Sequence, residues 1–252
     1  MLSDTTILVT GAGGSIGSAL CREIEKMHPK MLILFELNEY ALYKVDQDLT
    51  CNRLAVLGDV RDRNRLDEFM EGVDYVFHCA AYKHVPMCQG HNANEAHKTN
   101  YIGTVNALES AKKAKAFVLL STDKAINPAS VMGETKYMAE RAAQRYNRTV
   151  VRLGNILESS GSVIPKFREQ IERGGPVTVT HPDTTRYFIP MEKAVKFIIE
   201  AARNDPALFM IDMGEPRKIL DIATEMIGTR DDIEIQFTGL RPGEKLHEEI
   251  HE

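Results

Sequence analysis

Thr10-Gly11-Ala12-Gly13-Gly14-Ser15-Ile16-Gly17 is the stretch that decides the fold. It comes straight after the apolar run Ile7-Leu8-Val9 and opens the helical pattern Ser15–Met27. Gly11, Gly14 and Gly17 follow a GxxGxxG spacing rather than GxGxxG. Both spacings meet one requirement: with no side chains in the way, backbone N–H groups and a helix N-terminus can approach a pyrophosphate. Ser15 and Ile16 open that helix and belong to the same candidate cradle. Glu36 closes the next apolar run 19 residues after Gly17, the expected place for a carboxylate on an adenosine ribose 2′-hydroxyl. A carboxylate there repels a 2′-phosphate, which favours NAD as the cofactor; Lys44, close in sequence, keeps NADP open. Asp59, followed by Val60 after the third run, is a candidate partner for the adenine amino group and reads equally well as a turn-capping Asp. Strand, glycine turn, helix and acid in this order predict a dinucleotide site, whereas a glycine-rich turn alone would be structural.

Outward from that stretch, short apolar runs alternate with longer helical patterns, the sign of βαβ units and a parallel sheet. Strands are expected at Thr6–Thr10, Met31–Glu36, Leu54–Gly58, Asp74–Cys79, Phe117–Ser121 and Thr149–Leu153. Helices are expected at Ser15–Met27, Asn100–Ala114 and Val131–Tyr146. After Leu153, glycine and proline cluster in Gly154–Pro165 and Gly174–Pro182. A helical pattern over Met191–Arg203, a strand-like Leu208–Asp212 and an amphipathic Ile219–Ile227 follow. The fold class is therefore α/β: a Rossmann-like doubly wound parallel sheet with a smaller C-terminal substrate-binding lobe. Residues 1–155 are assigned to the NAD(P)-binding domain, to which 190–213 return; 156–189 and 214–252 are assigned to the lobe. Ligands of such sheets bind beyond the carboxyl ends of the strands, so the lobe is expected to supply the substrate walls.

Composition narrows the partners. The 252 residues are 43% hydrophobic and 27% charged with a formal charge of −5, which leaves no global field for nucleic acid or an anionic membrane. No apolar run approaches the ~20 residues of a membrane span, and the N-terminus lacks the order of a signal peptide, so a cytoplasmic location is expected. Cys21, Cys51, Cys79 and Cys88 are scattered, with no CxxC pair, and are read as reduced. His247-Glu248-Glu249-Ile250-His251 satisfies HExxH, but a zinc site of that kind needs a third ligand and an open cleft, so no metal is expected.

Several further motifs carry a resemblance. They are His78-Cys79-Ala80-Ala81-Tyr82-Lys83-His84-Val85-Pro86, Ser121-Thr122-Asp123-Lys124-Ala125 and Val131-Met132-Gly133-Glu134-Thr135-Lys136. Beyond them lie Arg152-Leu153-Gly154-Asn155, Gly161-Ser162-Val163-Ile164-Pro165, Thr185-Arg186-Tyr187-Phe188 and Arg241-Pro242-Gly243-Glu244-Lys245. From about Thr6 to Glu249 the chain resembles the extended short-chain dehydrogenase/reductases, in particular the CapD-like nucleotide-sugar 4,6-dehydratases. The resemblance implies a UDP-sugar substrate, UDP-N-acetylglucosamine above all, and a bound NAD or NADP reduced and reoxidised within one turnover. It also implies a homo-oligomer. Many members carry membrane helices before this unit, so the chain is expected to be a minimal soluble form or a trimmed one.

Members of the wider superfamily use a Tyr-x-x-x-Lys pair in which the lysine lowers the tyrosine pKa. Here Met132 holds the tyrosine position and Lys136 follows one turn later, a substitution shared by one branch of these dehydratases. A 4,6-dehydration needs a hydroxyl near the C4 oxygen, a base at C5 and an acid at C6. The resemblance assigns these to Thr122, Lys124 and Asp123 respectively, with Lys136 on the nicotinamide ribose. Ala80 and Ala81 are implied on the cofactor, and Lys83, Asn155, Val163, Arg186, Arg241 and Glu244 on the substrate. His78 and His84 are read as structural, and Asn100 as a support of the active-site helix. Two other readings stand beside the dehydratase: a UDP-sugar 4-epimerase, which needs no acid–base pair at C5 and C6, and a non-catalytic NAD-binding regulatory protein.

Overall fold

The structure is a computed structural model that describes residues 2–250. Its first half runs β1 (Thr6–Thr10), α1 (Ser15–Glu25), β2 (Met31–Glu36), α2 (Glu39–Asp48), β3 (Arg53–Leu57), α3 (Arg63–Met70) and β4 (Tyr75–His78). Then come α4 (Ala93–His97), α5 (Gly103–Ser110), β5 (Ala116–Thr122), α6 (Val131–Arg145), β6 (Thr149–Leu153) and β7 (Asn155–Ile156). The chain continues through α7 (Val163–Glu172), β8 (Val177–Val179), β9 (Thr185–Arg186), β10 (Phe188–Ile189) and α8 (Met191–Ala201). It closes with β11 (Leu208–Met210), β12 (Arg217–Lys218), α9 (Ile219–Ile227) and β13 (Ile235–Phe237).

Seven strands form one parallel sheet in the order β11-β6-β5-β4-β1-β2-β3. The strand order reverses between β1 and β4, where a crevice opens beyond the carboxyl ends. Alternation along β1 divides the core: Ile7 and Val9 join the apolar cluster with Leu20, Ile24 and Ile198, while Leu8 joins Leu66, Leu108 and Ala139 on the other face. The smaller lobe has its own core of Phe167, Val177, Val179, Ile219, Ile222 and Ile233. Three short strand pairs, β7 with β10, β8 with β13 and β9 with β12, tie the lobe together.

Two expected elements differ. The third strand starts at Arg53 and stops at Leu57, and it forms the sheet edge, where Leu54 and Leu57 are exposed. The helix expected over Asn100–Ala114 begins instead in a π-type turn, Lys98–Ile102, that passes into α5 and ends at Ser110. The wider turn accompanies fully buried Asn100, whose Oδ1 accepts the Tyr82 N–H (2.7 Å) and whose Nδ2 donates to Tyr82 O (3.0 Å) and Thr135 Oγ1 (3.1 Å). The cavity-lining segment after β4 is thereby pinned to α6.

Beneath the crevice lies a buried ion pair. Arg152 of β6 donates through Nε (2.9 Å) and Nη2 (2.7 Å) to Glu140 of α6, which also accepts from Ser121 Oγ of β5 (2.5 Å). Removing one partner of such a pair leaves an uncompensated charge in the core. Glu140→Ala is expected to lose about 3–5 kcal/mol in urea unfolding. Replacing both charges together, as in Glu140→Leu with Arg152→Met, should recover most of that loss.

Candidate active site

A cavity of about 770 Å³ fills the crevice between the sheet and the smaller lobe. Its floor is the glycine turn after β1. Gly11 has φ +64°, and a Cβ there would lie 2.8 Å from the Ala80 backbone. A Cβ on Gly17 would lie 2.1 Å from Gly11 O, so α1 and the turn close on each other only without one. Gly14 is the N-cap of α1 and no side chain caps the first turn, which leaves its N–H groups for an anion beside the cavity. A pyrophosphate fits this cradle.

Of the residues expected on a cofactor, Gly11, Gly14, Ser15, Ile16, Gly17, Ala81 and Lys136 line the cavity. Glu36, Asp59, Val60 and Ala80 stand outside its wall. Glu36 is held at the end of β2 by two backbone N–H groups, Gly13 at 3.0 Å and Asn38 at 2.9 Å. Burial tends to raise the Asp59 carboxyl pKa, but bonds from Arg61 Nε (2.7 Å) and its N–H (2.9 Å) outweigh it and hold the carboxyl below the usual range. Val60 is buried against Gly103, and Ala80 lies under Gly11.

The acid–base candidates leave the end of β5 together. Thr122 Oγ donates to Asp123 Oδ1 at 2.8 Å. Asp123 is fully buried behind the cavity wall, and its Oδ2 has no hydrogen-bond partner among the described residues. Lys124 Nζ sits 2.9 Å from Asp123 Oδ1, 3.2 Å from Asn155 Oδ1 and 3.4 Å from Glu248 Oε1. Burial alone would lower the Lys124 pKa; the carboxylates of Asp123 and Glu248 outweigh it, so the amine rests as ammonium. Met132 is buried in a small cluster with Cys88 and Ala96, one turn before Lys136. Lys136 Nζ donates to Leu120 O at 2.5 Å, and burial pushes its pKa down to about 8 against the pull of Glu140. His78 is buried between Thr10 and Thr104 hydroxyls, and burial takes its pKa to about 3, leaving a neutral ring.

Among the substrate candidates, Lys83, Asn155, Val163, Arg186, Arg241 and Glu244 all line the cavity. Arg186 is the one whose surroundings depart from expectation. Its guanidinium makes four hydrogen bonds of its own, to Thr185 O, Leu246 O, Glu244 Oε1 and Lys245 O. Those donors clamp the C-terminal segment, whereas the half-exposed Arg241 guanidinium meets Glu244 Oε2 at 3.2 Å. Lys83 Nζ meets Ser159 Oγ at 3.3 Å.

The cavity wall also holds residues not singled out in the sequence, Ser130, Lys166 and Glu248 among them. Glu248 was legible only as part of HExxH, yet it lies in the wall with its side chain 3% exposed. His247 is engaged by Thr185 Oγ1 (2.8 Å), and His251 lies outside the described residues. No group of three or more metal-ligating side chains forms among the described residues. A local pattern cannot show that a residue near the C-terminus folds back on Lys124.

The family model described as polysaccharide biosynthesis protein matches residues 7–252. The chain is 46% identical to the capsular polysaccharide biosynthesis protein CapD of Staphylococcus aureus, over 99% of this chain and 45% of that one. It therefore spans less than half the length of that relative. It is 34% identical to a UDP-glucose 4-epimerase of Rickettsia canadensis, over 99% of this chain and 78% of the relative. The solved structure of Pen from Bacillus thuringiensis is 33% identical and superposes with TM-score 0.94, covering 98% and 84% of the two chains. DesIV, a dTDP-glucose 4,6-dehydratase from Streptomyces venezuelae solved with NAD and TYD, shares the fold at TM-score 0.86 and 21% identity, covering 98% and 88%. No helix among the described residues is long and apolar enough to cross a membrane.

Lys136 gives a pH signature. Its folded pKa of about 8 lies below the 10.5 of a free lysine, so between those values the unfolded chain binds the extra proton. Stability from this group therefore rises with pH across that window. Lys136→Met should flatten this part of the curve in urea unfolding, and a slope equal to that of the parent would contradict it.

Proposed function

The chain belongs to the polysaccharide biosynthesis protein family, and on that premise we propose that it is a nucleotide-sugar 4,6-dehydratase acting on UDP-N-acetylglucosamine with bound NAD. The observation that carries this reading is the contact chain Thr122–Asp123–Lys124 at the strand end above a pyrophosphate cradle. An epimerase has no use for an acid and a base at C5 and C6.

NAD would lie with its pyrophosphate on the first turn of α1, and the Glu36 carboxylate next to Gly13 favours it over NADP. Lys136 would meet its nicotinamide ribose, and the bound nicotinamide would accept the electrons that leave C4 and return them at C6. The diphosphate would lie by Arg241 and Lys83, with Asn155 and Val163 toward the sugar.

The protons are handled by the chain itself. Met132 cannot take the C4 hydroxyl proton, so it passes through Thr122 Oγ to Asp123 Oδ1, already 2.8 Å away. Asp123, behind the cavity wall, then returns that proton by way of the Thr122 hydroxyl to the C6 hydroxyl, which leaves as water. Lys124 enters the cycle as the free amine, the minor form beside the Asp123 and Glu248 carboxylates, takes the C5 proton, and later gives one proton of the resulting ammonium back to C5. Each group ends in the state in which it began, and the water carries the proton that left the C4 oxygen.

Incubation with UDP-N-acetylglucosamine should yield a product lighter by one water, read by mass spectrometry. An isomer of equal mass would indicate an epimerase, and no change a non-catalytic binder. Lys124→Ala should lose on the order of 10²–10⁴-fold in rate while still retaining NAD. In heavy water the product should carry deuterium at C5.

A further inference from the structure

The chain carries a formal charge of −5, yet seven lysine and arginine side chains line its cavity against two glutamates. Most of these cations have partners within the protein. Lys124 meets Asp123, Asn155 and Glu248, and Lys136 meets the Leu120 carbonyl. Arg186 has four acceptors, and Lys245 has Ile126 O and Glu249. Lys166 differs: its amine makes no hydrogen bond or ion pair among the described residues, although it lines the same cavity.

The surroundings of Lys166 give a cation little support. It stands one turn into α7, near the helix end whose dipole disfavours positive charge. Glu244 is the carboxylate within its reach, but both oxygens are engaged: Oε1 accepts from Arg186 and Thr180 (3.2 Å each), and Oε2 from Arg241 Nε (3.2 Å). Partial burial, and then the charge of Arg241, hold the Lys166 pKa below the ordinary lysine range against the pull of Glu244. Arg241 acts electrostatically on Lys166 and also on His84, the neighbour of Lys83. It therefore links the sheet side of the cavity, where Lys83 follows β4, to the lobe side, where α7 carries Lys166.

We infer that Lys166 is a specificity-determining residue for the nucleoside diphosphate, holding the phosphate that carries the ribose. The reacting sugar lies by Lys124 at the strand end, so the diphosphate runs outward past Lys83 and Arg241, and its far phosphate reaches Lys166. An anion there relieves two repulsions at once, that between Lys166 and Arg241 and that between the amine and the helix N-terminus. The ammonium supplies charge-assisted hydrogen bonds to phosphate oxygens. It stands apart from the proton transfers, so its contribution is equal in the ground and transition states and falls on KM rather than kcat.

This inference rests on the UDP-sugar part of the proposed function, and binding measured without turnover separates it from the type of reaction. The NAD-loaded parent, Lys166→Met and Lys166→Arg would be titrated calorimetrically with UDP and with UMP, then assayed with UDP-N-acetylglucosamine. Lys166→Met should bind UDP and UMP each about tenfold more weakly, raise KM by a similar factor and leave kcat unchanged. Lys166→Arg keeps the charge and should retain most of the affinity. Without nucleotide, Lys166→Met should melt no lower than the parent, because the amine has no partner to lose. Unchanged UDP affinity in Lys166→Met would overturn the inference. A loss for UDP but not for UMP would overturn it as well, placing the amine on the other phosphate. Equal loss in the Met and Arg variants, or a lower melting point of nucleotide-free Lys166→Met, would reduce Lys166 to packing and overturn it too. If the parent binds UDP but makes no dehydrated product, the dehydratase reading fails, and the UDP and UMP affinities still decide the role of Lys166. A parent that binds neither nucleotide would overturn both.

Discussion

The buried Arg152–Glu140 pair, with Ser121 Oγ on the same carboxylate, is the constraint on which the site depends. A desolvated ion pair contributes little net stability when intact, but it admits few alternative arrangements. Here it joins β6, α6 and β5 at one point. Lys136 and Glu140, one turn apart on α6, engage successive residues of β5, the Leu120 carbonyl and the Ser121 hydroxyl. Thr122 ends that strand, and Asp123 and Lys124 follow in the next turn. The helix that carries Lys136 and the strand end that leads into the proposed acid–base group are therefore fixed in register.

The opposite wall is built by a different logic. The smaller lobe has a modest core, and its last residues have little regular structure to hold them. Arg186 takes that part with four hydrogen bonds to the segment 244–246 and its own neighbour. Hydrogen bonds from a charged donor are stronger than neutral ones, and a nearly buried guanidinium left unpaired would be costly. The clamp turns an irregular segment into a wall that places Glu248 against Lys124. Net charge is unrevealing here, because opposite charges concentrate in pairs: Lys124 with Asp123 and Glu248, Arg186 with Glu244 and Glu248.

What the sequence determined by itself is local in origin. The period of the apolar runs specified the parallel strands, because alternation and burial leave their pattern within a few residues. The glycine turn announced its cradle, because closeness of α1 to the turn admits no Cβ at Gly17. The run Thr122-Asp123-Lys124 could be placed at a strand end because the strand before it was legible. Tertiary structure decided the rest. Whether Arg186 is free for a phosphate depends on carbonyls about sixty residues away in sequence. Whether Glu248 belongs to a metal pattern or pairs with a cavity lysine depends on Lys124, more than a hundred residues earlier. Even the protonation of Lys124 follows from which carboxylates the fold brings near it. Charge acts through space, over a few ångströms, and no spacing along the chain encodes those distances.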